Sequence, residues 1–321
     1  MSEKVKNGKK ITILGAGNVG ATIAYTLTTL NTCSEIVLID INKEKAEGEV
    51  MDIRHGLPFC GNIDIHGGEY EDARDSDIVV ITAGIGRKPG QTRIDLAKVN
   101  VGLIKQVIPQ VAAAAPDAIY VVVSNPVDII TYTILKCTNL SPSQVLGTGT
   151  MLDTSRLRSL LADHVDISPQ SVHAYVIGEH GDSQVIPWSL TNISGMIMTQ
   201  YCTHICVNHN ECGKKDIKDI EANVRNAGGE VIKRKGATFY AIAITVARLC
   251  EVILTNKKAV LTVSSFMDGS YGLHDVCLSI PCIVSGKGIE RKLTPPLMGE
   301  EMEALKASSD ALKAVIRECD I

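Results

Sequence analysis

Three glycines constrain this chain more than any other feature. Gly15, Gly17 and Gly20 lie in the run Gly15-Ala16-Gly17-Asn18-Val19-Gly20, directly behind the apolar residues 10–14. A strand that ends in such a turn and reopens as a helix uses glycine for separate reasons. One glycine permits the tight turn, one lets backbone approach a bound pyrophosphate, and one packs helix close to strand. The new helix then turns free N–H groups toward an anion. Asp40 follows the next apolar run, residues 35–39, and stands 20 residues after Gly20. That spacing suits a carboxylate accepting from both hydroxyls of a ribose. No arginine follows Asp40 to hold a 2′-phosphate, and Lys43 is the nearest cation. The expected cofactor is therefore NAD rather than NADP, on Gly15, Gly17, Asn18, Val19, Gly20 and Asp40.

The first half continues the same rhythm. Residues 78–82 and 118–123 read as further buried strands, 63–65 as a shorter one, and 145–147 as a very short sixth. Ala- and Leu-bearing helical segments separate several of them. This β–α alternation predicts an α/β fold with a Rossmann-type, doubly wound parallel sheet. After Thr150 the pattern changes. Residues 151–164 read as a helix and 172–177 as a strand. Residues 216–255 read as a long helical stretch, with Gly228-Gly229 and Gly236 as breaks or points of close approach. Residues 259–267 and 276–284 read as strands, and Pro295-Pro296 introduces an amphipathic helix over 298–318. The expected division is a cofactor domain over 1–148, its first nine residues a flexible tail, and a mixed α+β substrate domain over 149–321.

Composition narrows the partners. The chain has 321 residues, 45% of them hydrophobic, enough for two cored domains. A net charge of −4 gives no basic field for nucleic acid. No apolar run is long enough for a signal peptide or a membrane span, so a cytoplasmic protein is expected. The ten cysteines are scattered. Cys202, Cys206 and Cys212, with His204 and His209, have the wrong spacing for zinc pairs and read as a surface loop; no metal is expected.

Chemistry-bearing residues gather in five segments. Ile177-Gly178-Glu179-His180-Gly181-Asp182-Ser183 places one histidine where a strand gives way to a loop. Ser124-Asn125-Pro126-Val127-Asp128 ends the fifth strand, at the edge that faces a ligand crevice. In the run from Thr148 to Arg158, Asp153 and Arg156 share a helix face, while Arg158 points elsewhere. Residues 82–93 are glycine-rich and cationic, a segment where a lid can hinge. Gly236-Ala237-Thr238 completes the set. Taken singly, each has a plainer reading: a solvated loop histidine, a first-turn acid, a surface arginine, a turn asparagine. Taken in order, the segments resemble the L-lactate/malate dehydrogenase family over nearly the whole chain, and the bacterial L-lactate enzymes more than the malate enzymes.

The resemblance implies roles. His180 would protonate the keto oxygen as hydride arrives. Asp153 would orient His180 and stabilise its charged form. Arg156 would clamp the substrate carboxylate in a bidentate fork. Arg93, on the lid, would polarise the carbonyl, and Asn125 would hydrogen-bond near substrate and nicotinamide. Arg87, six residues before Arg93, occupies the discriminating lid position. Lactate enzymes typically carry glutamine there and malate enzymes arginine, so Arg87 points to oxaloacetate. Glu179, Ser183 and Thr238 point instead to pyruvate. L-lactate dehydrogenase, a glycolytic and fermentative activity, is the first expectation and malate dehydrogenase the alternative. Arg158 and His173 match positions that bind fructose 1,6-bisphosphate between subunits in allosteric relatives, although non-allosteric relatives carry the same pair. The family implies a homotetramer, and a dimer–tetramer equilibrium is open. A non-catalytic dinucleotide-binding protein would lack His180, Asp153, Arg93 or Arg156, and an NAD-dependent glycosidase would need a metal site.

Overall fold

A computed structural model describes residues 8–86, 92–205 and 214–321. The predicted sheet is present. β1 (Lys10–Leu14), β2 (Glu35–Ile39), β3 (Asp64–Gly67), β4 (Ile78–Ile81), β5 (Ile119–Val122) and β6 (Val145–Gly147) pair in parallel, in the order β3-β2-β1-β4-β5-β6. β4 and β5 are Ile-Val-Val-Ile and Ile-Tyr-Val-Val, buried at every position. They show no polar alternation because helices cover both faces of the sheet. The covering helices are α1 (Asn18–Thr29), α2 (Lys43–Gly56), α3 (Arg93–Ala114) and α4 (Val127–Cys137). Strand order reverses between β1 and β4, which opens a crevice at the carboxyl ends of the strands.

The second half begins with α5 (Met151–Val165). Three short strands follow: β7 (Val172–His173), β8 (Asn192–Ile193) and β9 (Met196–Ile197). Then come α6 (Met198–His204), α7 (Lys214–Lys235) and α8 (Tyr240–Leu254). β10 (Ala259–Asp268), β11 (His274–Ser285) and β12 (Gly288–Lys292) form an antiparallel meander, and α9 (Gly299–Glu318) ends the fold. Ser264 of β10 pairs with Gly147 of β6, so the meander extends the parallel sheet to nine strands. One apolar core runs along this sheet. A smaller one, with Leu157, Leu161, Val172, Ile193 and Val224, packs α5 and α7 on β7 and β8.

Several local expectations change. The strand over 172–177 stops at His173; Ile177 makes only an isolated bridge to Val185. Gly228-Gly229 does not break α7, which runs through both residues. The break comes at Gly236, where φ is +85°, and Thr238 sits in the turn between α7 and α8 rather than on a helix. Of the cysteine–histidine loop, Cys206, His209 and Cys212 lie outside the described residues. Among the described residues no cluster fits a metal ion, no disulfide occurs, and no helix is long and apolar enough to cross a membrane.

Candidate active site

The glycine turn has the shape its sequence requires. Gly15 has φ +105°, a conformation that side chains resist. A Cβ on Gly20 would lie 1.8 Å from the Gly15 carbonyl oxygen, so helix and strand close only on glycine. A Cβ on Gly17 would meet nothing within 4 Å. That glycine faces open space, as a residue beneath a bound pyrophosphate should. Gly17 is also the N-cap of α1, and no side chain caps the helix. Asp40 leaves β2 and folds back on the turn. Its Oδ2 accepts from the Ala16 N–H at 2.6 Å and its Oδ1 from the Asn42 N–H at 2.8 Å. Lys43 pairs with Glu69, so the cation nearest Asp40 is already engaged. These residues fit NAD.

A cavity of about 440 Å³ opens beside this turn, with Val19, Asn125, Asp153, Arg156, His180 and Thr238 in its wall. Its centre is a three-residue chain. His180 Nδ1 lies 2.6 Å from Asp153 Oδ2, and Arg156 Nη1 donates to Asp153 Oδ1 at 2.9 Å. Asp153 is 3% exposed, so both contacts form away from bulk water. The i, i+3 spacing on α5 brings Asp153 and Arg156 together as the sequence suggested. Burial alone would depress the His180 pKa. Asp153, by charge and hydrogen bond, outweighs it with help from Asp128, and the pKa rises. For Asp153, burial raises the pKa, but His180 and Arg156 prevail and hold it below the ordinary value. Both shifts favour the carboxylate–imidazolium form of the pair.

Asp128 has no assigned role in the sequence reading, yet it holds the histidine. It sits in the first turn of α4 and is 2% exposed. Its Oδ2 accepts the His180 backbone N–H at 2.8 Å, and its Oδ1 accepts the Ser264 hydroxyl at 2.6 Å. Burial pushes its pKa up to about 6 against both hydrogen bonds. The only sequence signal was its place in the segment after β5; nothing marked Ser264.

The other expected residues divide. Asn125 lines the cavity, and its carbonyl accepts from Asn100 Nδ2 at 2.7 Å. Asn100 also accepts from the Ile85 N–H, which ties the root of the glycine-rich segment to the β5 end. Thr92 caps α3 in a reciprocal box with Asp95. Arg93 is the first residue of α3, but its side chain lies outside the described structure, as does all of Arg87. Arg158 turns away from the cavity, and its Nη2 donates to the Pro169 carbonyl at 3.3 Å. His173 is exposed on β7.

Comparison with known proteins agrees with this architecture. The lactate/malate dehydrogenase NAD-binding domain matches residues 9–147, and the alpha/beta C-terminal domain of the same family matches 150–320. The L-lactate dehydrogenase of Acetivibrio thermocellus is 49% identical, over 98% of each chain. That of Thermoanaerobacter pseudethanolicus is 46% identical, over 97% of this chain and 99% of its own. Among solved structures, the minor L-lactate dehydrogenase of Enterococcus mundtii, in a ligands-bound form, superposes with a TM-score of 0.92 at 40% identity, covering 96% of this chain and 98% of that one. A lactate dehydrogenase from a Medee basin deep-sea metagenome superposes at 0.93 with 36% identity, covering 98% and 99%. The chain belongs to the lactate/malate dehydrogenase family and is an NAD-dependent 2-hydroxy acid dehydrogenase.

Proposed function

We propose that the chain is an NAD-dependent L-lactate dehydrogenase, interconverting pyruvate and L-lactate. The observation that carries this reading is the hydrogen-bonded chain His180–Asp153–Arg156 in the wall of the cavity beside the glycine turn. When bound, the reduced nicotinamide supplies a hydride to the carbonyl carbon of a 2-keto acid. His180 supplies the proton. Its Nδ1–H donates to Asp153, which leaves Nε2 to give a proton to the keto oxygen and recover one in the reverse direction. Asp153 holds the ring and favours its protonated form. Arg156 binds the substrate carboxylate. Its Nη1 is engaged by Asp153, and a Cβ on Gly228 would lie 3.7 Å from Nη2 and 3.9 Å from Nη1, so glycine there leaves room around the guanidinium. Gly15, Gly17, Asn18, Val19, Gly20 and Asp40 hold the dinucleotide, and Asn125 and Thr238 bound the space between it and the substrate. Arg93, whose side chain lies outside the described structure, would polarise the keto oxygen.

The relatives named above are lactate dehydrogenases, so oxaloacetate is not the favoured substrate. The reading is tested by following NADH absorbance with pyruvate and with oxaloacetate. A higher kcat/KM for pyruvate is expected, and a large preference for oxaloacetate would overturn it. Arg87→Gln should lower residual oxaloacetate turnover, and no change would remove that role from Arg87.

The same reading extends to a cytoplasmic homotetramer that serves glycolytic fermentation. Arg158 and His173 would form its anion site for fructose 1,6-bisphosphate, doubled across a subunit interface. Titration with the sugar bisphosphate should lower the KM for pyruvate, and sedimentation should give four subunits. An unchanged KM removes the regulatory site from the proposal.

A further inference from the structure

The loop that carries His180 hangs from three separate elements. Gly178 exchanges backbone hydrogen bonds with Ser279 of β11, at 2.8 and 2.9 Å. The His180 N–H goes to Asp128 of α4. Between them, the Glu179 N–H donates to Ser308 Oγ of α9, at 2.8 Å. Ser308 Oγ also lies 3.0 Å from Ser183 Oγ, whose own proton goes to Glu179 Oε2 at 2.5 Å. With that proton committed, the Ser308 hydroxyl donates to Ser183. One side chain thus accepts from the front of the loop and donates to its back. The fit leaves no slack, because a Cβ on Gly178 would lie 2.8 Å from Ser308 Oγ.

We propose that Ser308 is a positioning residue for His180: a hydroxyl from the C-terminal helix that fixes the peptide before Glu179 while Asp128 fixes the one after it. Two successive peptide planes held by two elements cannot pivot, and the His180 ring stays within reach of Asp153. Alanine would be the better helix former at this buried position, so the hydroxyl needs a reason. The neighbouring Ser309 is an internal contrast. It is equally buried, and its Oγ has no hydrogen-bond partner. Leu312 and Val315, on the same helix, line the cavity, so α9 is both its wall and the anchor of its loop.

This inference rests on His180 being the acid/base, and the test separates the two. S308A, S309A and H180Q are compared in the full-length enzyme by kcat for NADH oxidation with pyruvate, by KM for NADH and by the pH profile. S308A should lower kcat roughly tenfold, leave KM for NADH unchanged and move the basic limb of the profile to lower pH, as the Asp153 contact loosens. S309A should match wild type. Equal behaviour of S308A and S309A overturns the proposal, as does an S308A variant that loses thermal stability alone. Should S308A not fold, S308C puts a much weaker acceptor opposite the Glu179 N–H and carries the same expectation, and wild-type kinetics there are equally fatal. An H180Q variant with wild-type kcat sinks the acid/base reading itself, and the role of Ser308 with it.

Discussion

Replacing Asp128 by asparagine exchanges one buried oxygen for nitrogen and leaves the shape of the site intact. The asparagine oxygen can accept the His180 N–H, and its amide can donate to Ser264, whose hydroxyl turns to accept. What disappears is a buried charge. Burial raises this carboxyl from 3.8 to about 6, a shift of about two units. At ~1.4 kcal/mol per unit, ionised Asp128 costs the folded state on the order of 3 kcal/mol. The folded protein holds this proton where the unfolded chain has released it, so stability falls as pH rises from about 4 to about 6 and stays lowered above. Asp128→Asn should therefore be more stable than wild type at pH 7.5, by up to about 3 kcal/mol, and equal to it near pH 4. Urea midpoints at fixed protein concentration, read from the single tryptophan Trp188, measure both values. Kinetics add a second arm. The Asp128 charge helps raise the His180 pKa, so the variant's pyruvate-reduction profile should lose its basic limb at lower pH. A variant less stable at pH 7.5, or a difference that ignores pH, would refute the reasoning.

Three further substitutions probe the remaining parts. Arg156→Lys keeps the charge but loses the fork, and kcat/KM for pyruvate should fall at least roughly 100-fold, mostly through KM. Asp153→Asn leaves burial of His180 opposed by Asp128 alone, so its pKa should drop and kcat should fall on the order of 100-fold at neutral pH. The stability that the wild-type pair adds is full below the ordinary histidine value of 6.5 and fades as pH rises through the raised one, so thermal midpoints of the two proteins should converge on the alkaline side. Asp40→Ser should raise KM for NADH and narrow the gap to NADPH, as measured by initial rates with each cofactor; an unchanged ratio would remove Asp40 from the ribose site.

What was legible in the sequence was local. Each glycine of the turn answers a constraint set within a few residues, and Asp153 with Arg156 share a face because helices repeat. Asp128 was visible but mute, because its partners His180 and Ser264 lie 52 and 136 residues away and no spacing rule links them. Ser308, 129 residues from Glu179, was hidden for the same reason. The helix over 214–235 misled in the opposite sense. Two adjacent glycines weaken a helix by about 1 kcal/mol each, yet α7 continues because packing on α5 outweighs propensity. Only Gly236, with its positive φ, ends it.

Asp153 gives one oxygen to His180 and the other to Arg156, and under the proposed roles of those two residues this sharing would couple substrate binding to proton affinity. In the free enzyme the Arg156 cation pulls the His180 pKa down against the lift from Asp153. A 2-keto acid that docks its carboxylate on Arg156 cancels that repulsion. His180 then holds its proton more firmly at the moment when a keto oxygen arrives to receive it. A neutral ketone would leave Arg156 unscreened and meet a histidine readier to be uncharged. On the proposed mechanism Arg156 would select for a carboxylate twice, once through the fork of its hydrogen bonds and once through the charge it withdraws from the neighbouring imidazole.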